Sequence, residues 1–311
     1  MMAMMLVLLG IFTFYCCPPS TLAQQKRKPH RSAATSSKSI VVRTEVNATV
    51  WLDEVRRGVT GANGELMLTN IAPRSHTLRV RADGFKERSI ALRPAQRGAI
   101  KLPLVRTNDE AELVFQQAEK ARESARDDAA RREAEKLYAR ALKLRPAFPQ
   151  AHTGRARALF DLNEFDAALD EINAARKNRP IYPEASAIEG RILREQADTQ
   201  GALKAFARAI REAHGVQPEA HTGLARIYEE QGRYEDAASK YRAALGQLAD
   251  TEPVIYQLLG AVYEKMGRYK EAIAAYEKYL QLAPNGSYAA AVRSIIDQLR
   301  RQAAGETLTP K

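Results

Sequence analysis

Only two cysteines occur in the 311 residues, Cys16 and Cys17, side by side near the start. Beyond them the chain has no thiol from which to build a disulfide, a thiolate nucleophile or a thiolate metal site. Histidine is scarce as well: His30, His76, His152, His214 and His221 form neither an HxxxH nor an HExxH pair. That excludes the helical zinc motifs. No glycine-rich phosphate loop follows a strand-like segment, which excludes the common nucleotide-binding turns. Acidic neighbours such as Glu229-Glu230 diverge by about 100° around a helix, so they do not converge as a general acid and base. The expectation is a noncatalytic protein without cofactor or metal. Long apolar runs are missing too: the stretch from Met4 to Cys17 falls short of the roughly 20 residues that span a bilayer as a helix.

That stretch has a recognisable setting. Residues 1–23 carry no charge, Pro18-Pro19 break the apolar run, and Thr21-Leu22-Ala23 supply small residues suited to signal peptidase. We expect a secretory signal over 1–23 and export to the periplasm, the cell surface or the medium, with no membrane span left after cleavage. The alternative is an N-terminal membrane anchor, because Lys26, Arg27, Lys28 and Arg31 follow the run, on the wrong side for export. Phe14-Tyr15 before the cysteines do not resemble the small-residue box of a lipoprotein. Residues 24–38 are basic and rich in Ser and Ala without apolar periodicity, the pattern of a disordered linker.

Charge divides between two regions. The chain holds 48 basic and 37 acidic residues, a net charge of +11. Residues 24–108 contain 17 basic and 6 acidic side chains, also +11, and residues 109–311 contain 31 of each. The basic character therefore resides before the second region.

Residues 39–106 read in period two: Ile40, Val42 and Thr44, then Val50 and Leu52, Leu66 and Leu68, Leu78 and Val80, Ile90 and Leu92, Ile100 and Leu102. Alternation punctuated by Gly, Asn, Asp and Pro predicts a small antiparallel β domain. Arg79 and Arg81 alternate with Leu78 and Val80, which predicts that they share one exposed sheet face. With Arg74, Lys86 and Arg88 nearby, they are candidate contacts for an anionic cell-wall polymer. Nucleic acid is not expected, for lack of interleaved aromatic and basic residues.

Residues 109–284 repeat. Ala134, Ala168, Ala202, Ala237 and Ala272 recur every 34 or 35 residues, each followed four residues on by Tyr138, Ile172, Phe206, Tyr241 or Tyr276. A third apolar position follows at Ala141, Ala175, Ala209, Ala244 and Tyr279, so each unit carries one stripe along a helix. Ala156, Gly190, Ala225 and Gly260 mark an earlier helix in each unit, where small side chains permit close backbone approach. Asn163-Glu164-Phe165, Gln231-Gly232-Arg233-Tyr234 and Met266-Gly267-Arg268-Tyr269 are the turns between the two helices. A self-similar period of this length predicts a solenoid.

These units resemble tetratricopeptide repeats. Leu259-Gly260, Tyr263, Gly267, Tyr269, Ala272, Tyr276 and Pro284 stand at that family's spacing, and five units fit residues 109–284, the first of them degenerate. Residues 285–303 read as a capping helix with Ala291, Ile295 and Leu299 facing the last repeat, and 304–311 as a tail. The β segment resembles the PEGA family of surface-associated domains through Val41-Val42-Arg43-Thr44, Ala48-Thr49-Val50-Trp51-Leu52-Asp53, Ile71-Ala72-Pro73 and Gly84-Phe85. Thr60-Gly61-Ala62-Asn63-Gly64 is also similar to the turn of carboxypeptidase-regulatory-like domains. The expected fold is thus a small antiparallel β-sandwich followed by an all-α solenoid.

The tetratricopeptide resemblance implies a groove for a protein or peptide partner, lined by the first helix of each unit. Arg157, Arg191 and Arg226 stand at one height there. Phe160 and Arg194 lie three residues after the first two, and Thr153, Thr222 and Gln257 one turn before the arginine height. Stacked guanidiniums favour partner carboxylates. Alternatively the arginines pair with Glu195 and Glu230 and only solvate the surface. His152-Thr153-Gly154 and His221-Thr222-Gly223 recur 69 residues apart, as packing residues at one repeat position. The functional expectation is an exported adaptor of the cell envelope. The alternative is a cell-wall or carbohydrate-binding protein acting through its β domain.

Overall fold

The computed structural model describes residues 38–248 and 250–303, all within one compact unit. The expected signal, nearly all of the linker and the tail lie outside the described residues.

The β region has strands β1 (Lys38–Arg43), β2 (Thr49–Leu52), β3 (Val55–Val59), β4 (Glu65–Ile71), β5 (His76–Arg81), β6 (Arg88–Leu92) and β7 (Gly98–Lys101). They form two sheets, ordered β4-β1-β7 and β3-β2-β5-β6. Ile40, Val42, Val50, Leu52, Leu68, Leu78, Val80, Leu92, Ile100 and Leu102 are buried in one shared core. Period two thus places the apolar side chains as expected. Pairing is antiparallel except between β1 and β7, which run parallel with Val42 opposite Ile100. Strand β3 departs from the sequence pattern: Val-Arg-Arg-Gly-Val does not alternate, and it stands at a sheet edge with a register slip between Val50 and Trp51 of its partner.

Helices follow in pairs: α1 (Glu110–Ser124) with α2 (Asp128–Leu144), α3 (Pro149–Asp161) with α4 (Phe165–Asn178), and α5 (Pro183–Glu195) with α6 (Thr199–Glu212). Then come α7 (Pro218–Glu230) with α8 (Tyr234–Leu248), α9 (Val254–Lys265) with α10 (Tyr269–Leu282), and α11 (Ala289–Ala303). The five periodic alanines are completely buried, as are Tyr138, Ile172, Phe206 and Tyr241. Burying each large apolar side chain contributes about 1.5–3 kcal/mol, so the register is also where the stability is concentrated.

Glycine explains the recurring His-Thr-Gly motif. A Cβ on Gly154 would lie 2.3 Å from the Tyr138 ring, and one on Gly223 would lie 2.2 Å from the Phe206 ring. In both places the first helix of a unit rests on the aromatic residue of the unit before it. Between α5 and α6, Ala197 takes a left-handed φ of 61°, the conformation that Asn163, Gly232 and Gly267 adopt in the turns before α4, α8 and α10. Asp198 then caps α6 by accepting from the Gly201 N–H at 2.8 Å.

The last helix is rotated relative to expectation. Ala289, Val292, Ile296 and Leu299 are buried, whereas Ala291 is exposed and Ile295 half-buried. Stripes at i, i+4, i+8 and at i, i+3, i+7, i+10 both suit a helix, and Val292 and Ile296 bury the larger branched pair.

Candidate partner-binding groove

The first helices of successive units place their equivalent residues on one face. A proline starts the unit at Pro149, Pro183, Pro218 and Pro253, and eight positions on stand Arg157, Arg191, Arg226 and Ala261. A cavity of about 900 Å³ opens over this face. Arg157, Phe160, Arg191, Arg194, Thr222 and Arg226 all line it.

The structure separates these residues by their pairing. Arg157 donates to Glu219 at 2.8 Å and lies 3.5 Å from Glu184. Arg191 donates to Glu219 at 3.0 Å, and its guanidinium stacks 4.5 Å from the centre of the Phe160 ring. Burial works against charge on Glu219, but Arg157 and Arg191 outweigh it and hold the carboxyl down at about 2. For Arg157 burial again opposes the charge, and Glu219 with Glu184 overcomes it, so that pKa is raised. The carboxylate partners are therefore Glu184 and Glu219, not Glu195 and Glu230. Arg194 does pair with Glu195, its chain neighbour. Glu184 and Glu219 each follow a unit-starting proline, the sequence signal for this pairing.

Two of the expected groove residues lie elsewhere. Thr153 is buried, its hydroxyl 3.1 Å from the Tyr182 hydroxyl and 2.9 Å from the Gln150 carbonyl, so it joins units rather than facing a partner. Gln257 is half-buried and outside the cavity lining.

Absent from the sequence reading is the opposite wall, Asp53, Glu54, Val55 and Arg56. Leu52 pairs with Val55 across a two-residue turn in which Asp53 and Glu54 have φ of 51° and 64°, the type I′ geometry that follows strand twist. Neither residue is glycine, and Asp53 is braced by its neighbours. Its carboxylate accepts from Thr77 N–H at 2.9 Å and Arg74 at 2.7 Å, and lies 2.6 Å from His76 Nδ1. Beyond the turn, Val55 is buried, and it packs in the apolar cluster of Ala225, Leu248, Ile255 and Leu259 instead of the β core. The hairpin tip thus sits on the solenoid.

The rest of that sheet face is covered as well, which corrects the expectation for Arg79 and Arg81. Their guanidiniums lie 4.0 Å and 5.0 Å from the Trp51 ring centre, and their side chains are only 15% and 12% exposed. Arg79 pairs with Glu54 and Glu87, each at 2.8 Å, and Arg81 with Glu119 of α1 at 3.0 Å. Gln116 of α1 adds hydrogen bonds of 2.9 Å to Gly84 N–H and the Phe85 carbonyl. Opposite charges on α1 and the packing of Trp51 turn this cationic face inward. Arg74 is paired with Asp53, while Lys86 and Arg88 are exposed, with Arg88 donating to the Pro103 carbonyl at 2.9 Å.

Sequence profiles described as tetratricopeptide repeats match residues 125–192, 189–253 and 253–285. The chain is a tetratricopeptide-repeat protein. It is similar to a thermophilic tetratricopeptide protein of Thermus thermophilus at 23% identity, over 61% of this chain and 98% of that one, with a TM-score of 0.51. PilW, described as a widely conserved type IV pilus biogenesis factor, matches at 17% identity over 64% and 90% of the two chains, with a TM-score of 0.54. PilF of Pseudomonas aeruginosa matches at 16% identity over 63% and 88%, with a TM-score of 0.51. At these identities the likeness is one of fold. No curated protein sequence matches the chain.

Proposed function

We propose that this protein is an exported, noncatalytic adaptor of the cell envelope that holds a protein partner between its repeat groove and its PEGA-like β region. The single observation that carries the reading is the cavity of about 900 Å³ with first-helix residues on one wall and the hairpin tip on the other. Tetratricopeptide solenoids serve as protein-interaction scaffolds, and this cavity has the mixture such a role needs. Phe160, Phe165, Val254 and Leu258 supply apolar surface, while Thr222 and Arg226 supply polar anchors. Export rests on the uncharged, proline-broken run in residues 1–23. Among the described residues no helix is long and apolar enough to cross a membrane. Docking of the β region to a wall polymer is the weaker reading, because Arg79 and Arg81 are engaged internally.

A photo-crosslinker placed at Thr222, compared with one at the exposed Arg242 on α8, tests the adaptor role in cells. A protein adduct specific to Thr222, recovered from the envelope fraction, is the expected result. Equal adducts at both sites, or a chain retained in the cytoplasm, would overturn the groove or the export part respectively.

A further inference from the structure

The arginines of the first helices belong to a ladder that the sequence breaks at one rung. Arg157 of α3 reaches Glu184, the residue after the proline that opens the next unit, at 3.5 Å. Arg191 of α5 reaches Glu219, the corresponding residue one unit on, at 3.0 Å. The same step from Arg226 of α7 arrives at Val254, because α9 opens Pro253-Val254 where the earlier units have Pro183-Glu184 and Pro218-Glu219. Arg226 is exposed and, among the described residues, has no carboxylate within ion-pair distance. Val254 is itself 36% exposed, and both side chains line the same cavity.

Other charges at this end do not compensate. Glu252 also lines the cavity, but the cation acting on it is Arg56 of the hairpin. Glu229, one turn beyond Arg226, is engaged by Lys265 at 2.8 Å and by the Tyr241 hydroxyl at 3.2 Å. Arg194, the other cation that acts on Tyr241 with Arg226, already holds Glu195. The cavity that Arg226 lines also carries apolar surface: Val55 and Ile255 are buried, with Val254 and Leu258 alongside. An exposed cation beside apolar surface, at the one position where its equivalents hold glutamates, has the complement of an acidic side chain next to an aliphatic one.

We infer that Arg226 and Val254 form a subsite for an internal glutamate of an extended partner segment, its carboxylate completing the broken ladder and its aliphatic neighbour covering Val254 and Leu258. The subsite rests on the proposed use of the groove and names the chemistry of what enters it. A charge-assisted contact to Arg226 is bidentate when the partner carboxylate is placed as Glu219 is toward Arg157.

The test uses the full chain and random 12-residue peptides displayed with their C-termini fused, so that every selected carboxylate is a side chain or none. Selected sequences should carry Glu or Asp beside an aliphatic residue. An amidated synthetic peptide of the consensus should lose about tenfold or more in affinity with Glu changed to Gln, and by a similar factor against Arg226→Ala. Val254→Glu restores the rung within the chain and should weaken the peptide equally while leaving the melting temperature unchanged or higher. Peptides that bind with affinity reduced by Phe160→Ala but untouched by Arg226→Ala and Val254→Glu would overturn the subsite and leave the groove. Failure to select any peptide sensitive to groove substitutions would overturn both.

Discussion

Glu219 receives a hydrogen bond of 2.8 Å from Arg157, a residue 62 positions earlier and two repeats away. One carboxylate thereby joins α3, α5 and α7, since Arg191 shares it. Its acidity makes the joint dependent on pH. A carboxyl held at about 2 in the fold and near 4.5 in the unfolded chain contributes stability that is complete above 4.5 and is lost as pH falls towards 2. Because the side chain is a quarter exposed, the contribution is at most about 3 kcal/mol. Chemical denaturation at pH 7 and pH 2.5 should show a smaller acid loss for Glu219→Gln than for the natural chain. Identical losses would remove Glu219 from the acid response.

His152 and His221 occupy the same place in two units yet titrate in opposite directions. Burial lowers His221, and its Nδ1 is buried without a hydrogen-bond partner. For His152 burial also works downward, but Glu171 at 2.6 Å from Nδ1 and the Pro146 carbonyl at 2.9 Å from Nε2 reverse the sign, and its pKa is raised. The sign of the linkage follows. His152 stabilises the fold below about 6.5 and loses that contribution as pH rises through its folded value, whereas His221 destabilises the fold as pH falls below about 6.5. Proton NMR titration, with the signals assigned among the five histidines, should place the His152 midpoint above 6.5 and the His221 midpoint below it. Glu171→Gln should bring the higher one down and leave the lower one in place.

Gly223 has no room for a side chain. Its Cβ would fall 2.2 Å from the buried Phe206 ring, and the ring cannot retreat because Gly190 packs on it as well. Gly223→Ala should cost about 1–3 kcal/mol by overpacking. Phe206→Leu in the same chain should recover part of that loss, measured as non-additivity in a double-mutant cycle. Strict additivity would place the cost in the helix backbone instead.

The solenoid was legible because its signal is local and repeated: one alanine register fixes buried positions, helix pairs and the height of each arginine. The β core was legible in the same way, through period two at residues such as Val42 and Leu78. Long-range choices were not. Whether Arg191 meets Glu219 or Glu195 depends on which repeat faces inward, and both are charges on amphipathic helices. Val55 falls outside the period-two runs, and it is buried in the apolar cluster of the solenoid. Arg79 and Arg81 show the reverse: alternation identifies their face but not what lies against it, here Trp51 and Glu119.

Ala197 sits at φ 61°, a conformation that costs a residue with a Cβ about 1–2 kcal/mol. The turns before α8 and α10 use glycine there, at Gly232 and Gly267. Ala197→Gly should raise stability by roughly 0.5–1 kcal/mol, the relief of strain exceeding the added freedom of the unfolded chain. The midpoint of urea unfolding measures it, at unchanged slope. A lower midpoint would mean that the Ala197 methyl group contributes more packing than its backbone stores in strain.

Val55 decides how the hairpin tip is held. Its side chain is buried among Ala225, Leu248, Ile255 and Leu259, all from the solenoid, whereas Val50 and Leu52 of the neighbouring strand point into the β core. Placing a carboxylate there, in Val55→Asp, removes about 1.5–3 kcal/mol of apolar burial and sets a charge against an apolar wall. The β core loses no contact by this change, so the effect should fall on the joint. Hydrogen exchange should quicken at the tip and at the start of α9, while amides pairing β1 with β4 keep their protection. Loss of protection throughout both sheets would assign Val55 to the stability of the β region itself. With the tip unseated and the opposite wall of the cavity withdrawn, a peptide selected on the natural chain should bind more weakly. Tighter binding would instead make the tip a competitor for the groove.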